Sequence, residues 1–193
     1  MSVLELKITL LDTKPSVYRT IHIEKIRSFY DLHVAIQLAF GWQNYHLYEF
    51  RINEDIIGEN EFDGETDVLE SSNILLSQKM IFEKQKCFYT YDFGDNWEHK
   101  IELVKFVEPK KTFYPQCVKG AKNAPPEDCG GVGGFEEFKA IMKDKKHPQH
   151  KEMKDWNDGL FDEDFFSLAL VNQAFESFDA TLKEFKEHDE DTM

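Results

Sequence analysis

VLELKITLLDTKPSVYRTIHIEKIRSFYDLHVAIQLAFG, residues 3–41, is the stretch that decides the fold. Its segments 3–11 (VLELKITLL) and 17–24 (VYRTIHIE) alternate apolar and polar side chains, the period of a strand with one buried face. DTKPS between them, with Pro15 holding the turn, joins the two as a hairpin. Ser28 then stands at a helix N-cap position with Asp31 three residues on. Phe29, Leu32, Ile36, Ala39 and Phe40 recur at helical spacing until Gly41 stops the run. A two-stranded face and an apolar helix stripe are complementary surfaces, so the helix is expected to lie across the sheet.

Outward from this β-β-α unit, the link WQNY leads to a third strand at 46–53. The acidic stretch 54–73 (EDIIGENEFDGETDVLESSN) reads as a mobile loop with one short strand or helical turn. A short helix over 74–82 precedes strands at 86–92 and 97–107. From 108 to 134 prolines and glycines break the periodicity, yet Phe113, Tyr114, Cys117, Val118 and Cys129 supply apolar anchors, so a long ordered loop is expected. Phe135, Phe138, Ile141 and Met142 mark a helix and 151–156 a short second one. Asp162, followed by Glu163 and Asp164, marks the capped start of a longer helix. There Leu168, Val171, Phe175, Phe178, Leu182 and Phe185 are spaced 3, 4, 3, 4, 3, a stripe that suits either the chain's own sheet or a partner helix. The expected architecture is α+β, one domain over 1–193. It has a β-grasp-like mixed or antiparallel sheet in about 1–107 with one helix across it, the ordered loop 108–134, and a C-terminal helical layer over 135–187. The stripe makes the chain a monomer or a weak homodimer through the 162–187 helix.

With 193 residues, 41% of them hydrophobic, and seventeen phenylalanines, the chain can bury one sizeable core as a soluble globular protein. No apolar run approaches the roughly 20 residues of a membrane span, and Glu5 and Lys7 interrupt any signal-peptide core. The cytoplasm is the expected compartment, with no membrane partner. Cys87, Cys117 and Cys129 have the wrong parity for a disulfide framework and fit free buried thiols. A net charge of −14 repels nucleic acid, which is not expected as a partner. Lysines cluster around 105–122 and 143–154, but Asp144 and Glu152 interrupt the second group and no arginine interleaves it, as on a solvated helix face.

Chemistry concentrates in YDFGDNWEHKI, residues 91–101, where Asp92, Asp95, Glu98, Trp97 and His99 surround a glycine. GDN reads first as a hairpin turn, with Gly94 supplying a backbone conformation closed to other residues and Asp92 bonding turn amides. Alternation is expected to turn Tyr91, Phe93 or Trp97 toward the core and Asp92 and His99 toward PPEDCGG, residues 125–131. In that second motif two prolines fix an extended approach and Glu127 and Asp128 are adjacent carboxylates. Gly130 and Gly131 free the backbone ahead of a helix near Gly134, whose amides suit either an anion or capping by Asp128. Together with HVAIQLAFGWQNYHLYEF at 33–50, these motifs resemble the plasmid pRiA open-reading-frame-3-like family of bacterial and archaeal genomes, plasmids and mobile elements, over about 4–175. The resemblance implies no reaction, because the family has no established biochemical activity. Its members often carry a cysteine where this chain has Ala124 and a valine where it has Cys129, which argues against a shared thiolate site.

The candidate binding residues are therefore Tyr91, Asp92, Asp95, Trp97, His99, Glu127 and Asp128. His33, one helical turn from Gln37, and His46, at the start of the third strand, join them as a polar cluster beside the hairpin. No cofactor and no metal is expected. His99, Cys117 and Cys129, with His46 and His33, are the candidates for a zinc site but lack C-x2-C or H-x3-H spacing, while Asp92, Asp95, Glu127 and Asp128 offer the oxygen ligands that magnesium or calcium prefers. G-x-G-x-x-G, P-loop, G-x-S-x-G and H-E-x-x-H patterns are absent from the sequence. The expected role is a non-catalytic binding or interaction module, holding a small ligand or protein partner between the 91–99 hairpin and the 125–131 loop. Two alternatives stand beside it. One is a metal-assisted or acid–base hydrolase using Asp92, His99 and Glu127; the other is a nucleic-acid accessory protein, implied by the family's presence on mobile elements.

Overall fold

The first hairpin forms as its alternation requires. Strand β1 (Val3–Leu10) pairs antiparallel with β2 (Tyr18–Glu24), placing Leu4, Leu6 and Ile8 beside Ile23, Ile21 and Arg19 on the buried face. Helix α1 (Phe29–Phe40) follows with a reciprocal cap: Asp31 N donates to Ser28 Oγ at 3.1 Å, and Ser28 N donates to the Asp31 carboxylate at 3.0 Å. The helix stops at Gly41, the residue the sequence marks for it. The computed structural model of the protein describes residues 2–59, 67–159 and 161–192.

The remaining strands are β3 (Tyr48–Ile52), β4 (Asp55–Gly58), β5 (Val68–Glu70), β6 (Lys86–Tyr91), β7 (Trp97–Val107) and β8 (Gln116–Ala121). The helices are α2 (Leu76–Lys79), α3 (Gly131–Lys143), α4 (His150–Trp156), α5 (Leu168–Phe175) and α6 (Phe178–Thr192). The eight strands form one mixed sheet in the order β5-β4-β3-β6-β7-β1-β2-β8, in which β4 and β5 are parallel and the other described pairs antiparallel. The fold is α+β. Helix α1 covers one face of the sheet, and α5 and α6 lie against α1. The opposite face carries Glu49, Arg51, Phe88, Thr90 and Glu98, exposed or half-buried.

Three boundaries differ from the sequence expectation. The acidic stretch 54–73 contributes two strands, β4 and the edge strand β5, rather than one, and its residues 60–66 lie outside the described residues. The 108–134 segment is not all loop: β8 within it extends the sheet beyond β2. Only Cys117 of that strand is fully buried, so the strand shows no alternation between its flanking prolines. The C-terminal stripe belongs to two helices, and Ser167, not Asp162, caps the first, its Oγ accepting from Leu170 N. Ser177 divides them by turning its hydroxyl back onto Ala174 O. Phe175, Phe178 and Leu182 are buried, with Val171 and Phe185 packed on the same core.

Arg19 ties the layers together. Its guanidinium donates to Ala39 O at the end of α1 and to Tyr18 O and Ala121 O, with the Phe40 and Phe166 rings on either side. Burial lowers its pKa to about 10, which still leaves it charged, and a cation beside the carbonyl end of a helix is favourable. Among the described residues, no helix is long and apolar enough to cross a membrane. Part of the lysine clusters is neutralised locally: Lys143 pairs with Glu163, which also holds Lys139, and Lys122 pairs with Asp164.

Candidate functional site

The β6–β7 turn is built around Asp92. Its backbone and that of Asn96 are left-handed, at φ 57 and φ 55, so the special conformation falls on these residues and not on Gly94. Asp92 Oδ1 accepts from Gly94 N at 2.9 Å and from Asp95 N at 3.2 Å. A side chain at position 94 would start 3.1 Å from that oxygen, a tight contact that would press on the Asp92 carboxylate. Beyond the turn, the period of two places Tyr89, Tyr91, Trp97 and His99 on the core face, all of them fully buried, whereas Phe93 is exposed. The expectation that His99 faces the 125–131 loop is thus corrected: as the neighbour of Trp97 but one, it must share the tryptophan's face. His99 Nδ1 finds Trp97 O at 3.0 Å, and the Phe40 and Trp42 rings meet it edge-on. Burial lowers its pKa to about 3, so it stays neutral.

The 125–131 loop is bonded directly to the hairpin and to the 41–47 link. Tyr91 Oη donates to Glu127 Oε1 at 2.5 Å and Gln43 N donates to Oε2 at 3.0 Å, across 36 and 84 residues of chain. Trp42 Nε1 donates to Pro125 O at 2.9 Å, and Gly130 N to Asp95 Oδ2 at 3.1 Å. Gly131, at φ 65, brings its Cα so near the hairpin that a Cβ would stand 2.4 Å from Asp95 O. Burial together with Glu127 raises the Tyr91 pKa, so the phenol keeps the proton that it donates, and burial also raises the pKa of Glu127. Hairpin, loop and link are thus joined directly by these bonds. The surface that remains is the rim where the three segments meet.

On that rim, His46 Nε2 lies 3.1 Å from Asp128 Oδ1 and 3.6 Å from Asp92 Oδ2. Asp128, left-handed at φ 57, faces His46 instead of capping α3, whose N-cap is Gly130. Beneath the rim, His33 is buried and neutral, its pKa lowered to about 3 by burial. Its ring stacks on Tyr48 at 3.6 Å and bonds Tyr89 Oη and Asn44 Oδ1, while Gln37 bonds Tyr89 Oη and accepts from Asn44 N. His33 therefore positions the 41–47 link and does not reach the surface.

Of the sequence candidates, the structure brings Tyr91, Asp92, Asp95, Glu127, Asp128 and His46 to one junction, with Asp92, Asp128 and His46 on its rim. It places Trp97, His99 and His33 in the core. His99, Cys117 and Cys129 are not among the one group of metal-ligating side chains found in the described residues, which is His46, Asp92 and Asp128. The thiols are free, and burial pushes Cys129 up to about 12 and Cys87 and Cys117 above their usual range. Sequence reasoning missed Gln43 and Asn44. The usable signal was Asn44 three residues after the helix stop at Gly41, a residue type that tolerates its φ of 60. The outer sheet face carries a separate shallow groove of about 570 Å³ lined by Arg51, Phe88, Phe93 and Glu98 among others.

A family model described as plasmid pRiA4b ORF-3-like protein matches residues 2–170. The chain belongs to that family. It is 33% identical over 183 residues to the uncharacterized protein y4hQ of Sinorhizobium fredii, covering 93% of each chain. It is also similar to the crystal structure of MM3350, a protein of unknown function from Methanosarcina mazei Go1, with a TM-score of 0.77 and 34% identity over 87% of this chain and 96% of that one. These plasmid ORF-3-like relatives carry no stated reaction, so the family supplies the fold and the site chemistry must supply the rest.

Proposed function

We propose that the chain is a non-catalytic binding module whose ligand, a small molecule or a segment of a protein partner, docks on the rim formed by the 92–96 turn, the 125–131 loop and the 41–47 link. The observation that supports this most is the convergence of His46, Asp92 and Asp128 from three segments. Hydrogen bonds through Glu127, Asp95 and Trp42 hold the frame under them. A site fixed by its supporting bonds loses little entropy on binding. The hydrolase alternative, which would use Asp92, His99 and Glu127, is less well supported, since His99 is buried in the core and neutral. Free cysteines favour a cytoplasmic location. The C-terminal stripe, packed on the chain's own core, favours a monomer.

A panel of small acids, amines, nucleotides and short peptides, screened by ligand-detected NMR and mapped by hydrogen exchange, tests the proposal. Hits are expected to protect amides in 41–47, 92–96 and 125–131 and to be weakened by Asp128→Asn. Protection confined to the outer sheet groove around Arg51 and Phe88 would move the site there and refute the rim.

A further inference from the structure

We infer that His46, Asp92 and Asp128 form a binding site for one divalent transition-metal ion, a site that gives chemical identity to the proposed binding role and rests on it for its location. The side chains supply one imidazole nitrogen and two carboxylate oxygens, all within 4.8 Å of one another. Metal bonds of about 2.0–2.2 Å put neighbouring ligand atoms roughly 3.0–3.5 Å apart. His46 Nε2 lies 3.1 Å from Asp128 Oδ1 and 3.6 Å from Asp92 Oδ2.

A second observation separates this cluster from an ordinary ion pair. His46 Nε2 is shielded from solvent and forms no hydrogen bond among the described residues, although both oxygens are near. Asp128 Oδ1, at 3.1 Å, is off the direction in which the ring nitrogen bonds, and Asp92 Oδ2, at 3.6 Å, is beyond hydrogen-bond distance, so the atom is left for a species lying between the three groups.

The frame is prepared for such a species. Asp92 Oδ1 is committed to the turn amides Gly94 N and Asp95 N, which aims Oδ2 at the cluster. The Tyr91 ring stands edge-on to the imidazole at 5.7 Å and limits its rotation. One nitrogen with two oxygens favours manganese, cobalt or zinc over magnesium and calcium, because imidazole binds the former more strongly. Three protein ligands leave coordination positions open to water or to an anionic group of a ligand.

The test uses chelator-stripped full-length protein titrated calorimetrically with Zn2+, Co2+ and Mg2+, with the visible absorption of Co2+ recorded in parallel. One Zn2+ or Co2+ per chain is expected, with Mg2+ failing to compete. His46→Gln, at a half-buried position, and Asp128→Asn, at an exposed one, should each weaken binding at least about tenfold, since even partners one shell further out cost that much. Asp164→Asn, a carboxylate outside the cluster, should bind as the wild type does. Circular dichroism verifies that each variant is folded. No uptake by the wild type, or uptake unchanged in both cluster variants, overturns the metal site. If metal fails while panel hits still protect 41–47, 92–96 and 125–131, the metal site falls and the binding role stands. If the cluster takes up metal while hits protect only the outer groove, the reverse holds.

Discussion

At Asp92 the chain leaves the β6 strand in a left-handed conformation, and its carboxylate spends one oxygen on the turn and offers the other to His46. Its role in the turn could be read from GDN; its approach to His46 could not, because the two residues meet only after β3 pairs with β6. Trp97 and His99 show the opposite balance. The strand period assigns both to one face, while the polarity of the imidazole argues for the other. Period wins because Trp97 O, two residues away, satisfies Nδ1 locally and makes burial tolerable. Trp97 is fully buried between Trp42 and Phe135. Truncation to Ala should cost roughly 3–5 kcal/mol in denaturant-induced unfolding. A loss below about 1 kcal/mol would show that this end of the core collapses without penalty.

Among the elements, the first hairpin and α1 were legible because each has a long, unbroken period and α1 an explicit cap at both ends. Strand β8 was not, since its place depends on hydrogen bonds to β2 and on Asn172, whose side chain accepts from Cys117 N and donates to Cys117 O. The PPEDCGG loop was legible as ordered and chemically rich, but its partners, Gln43 and Tyr91, lie in other segments. Its seating on the hairpin hinges on Gly131. A non-glycine residue in the left-handed region costs roughly 1–2 kcal/mol, and here the new Cβ would also collide with Asp95 O, which stands 2.4 Å away. Gly131→Ala should therefore lower the melting temperature and speed amide exchange at Gly130 and Gln43. Unchanged exchange at both amides would mean that the loop is held elsewhere.

Across the whole molecule, two neutral imidazoles make stability depend on pH. His33 and His99 have folded pKa values of about 3, against about 6.5 in an unfolded chain. Below pH 6.5 the unfolded state binds protons that the folded state refuses, so their contribution is complete above that pH and is lost as pH falls toward 3. From pH 7 to pH 5 the loss should be about 2 kcal/mol for each imidazole, with the raised Glu127 acting in the opposite sense. Unfolding free energies measured at both pH values check this, and His99→Phe should remove close to half of the difference. A profile flat over that interval contradicts two buried neutral imidazoles.

The central claim, that three distant segments build one ligand site, is tested most directly by paramagnetic broadening of backbone amide signals during a Mn2+ titration of the full-length protein. The account predicts that, at substoichiometric Mn2+, the signals around His46, Asp92 and Asp128 disappear first and together, and that Asp128→Asn abolishes the effect. Broadening that begins at other acidic segments, such as 162–164, or that spreads evenly over a surface of net charge −14, would contradict it.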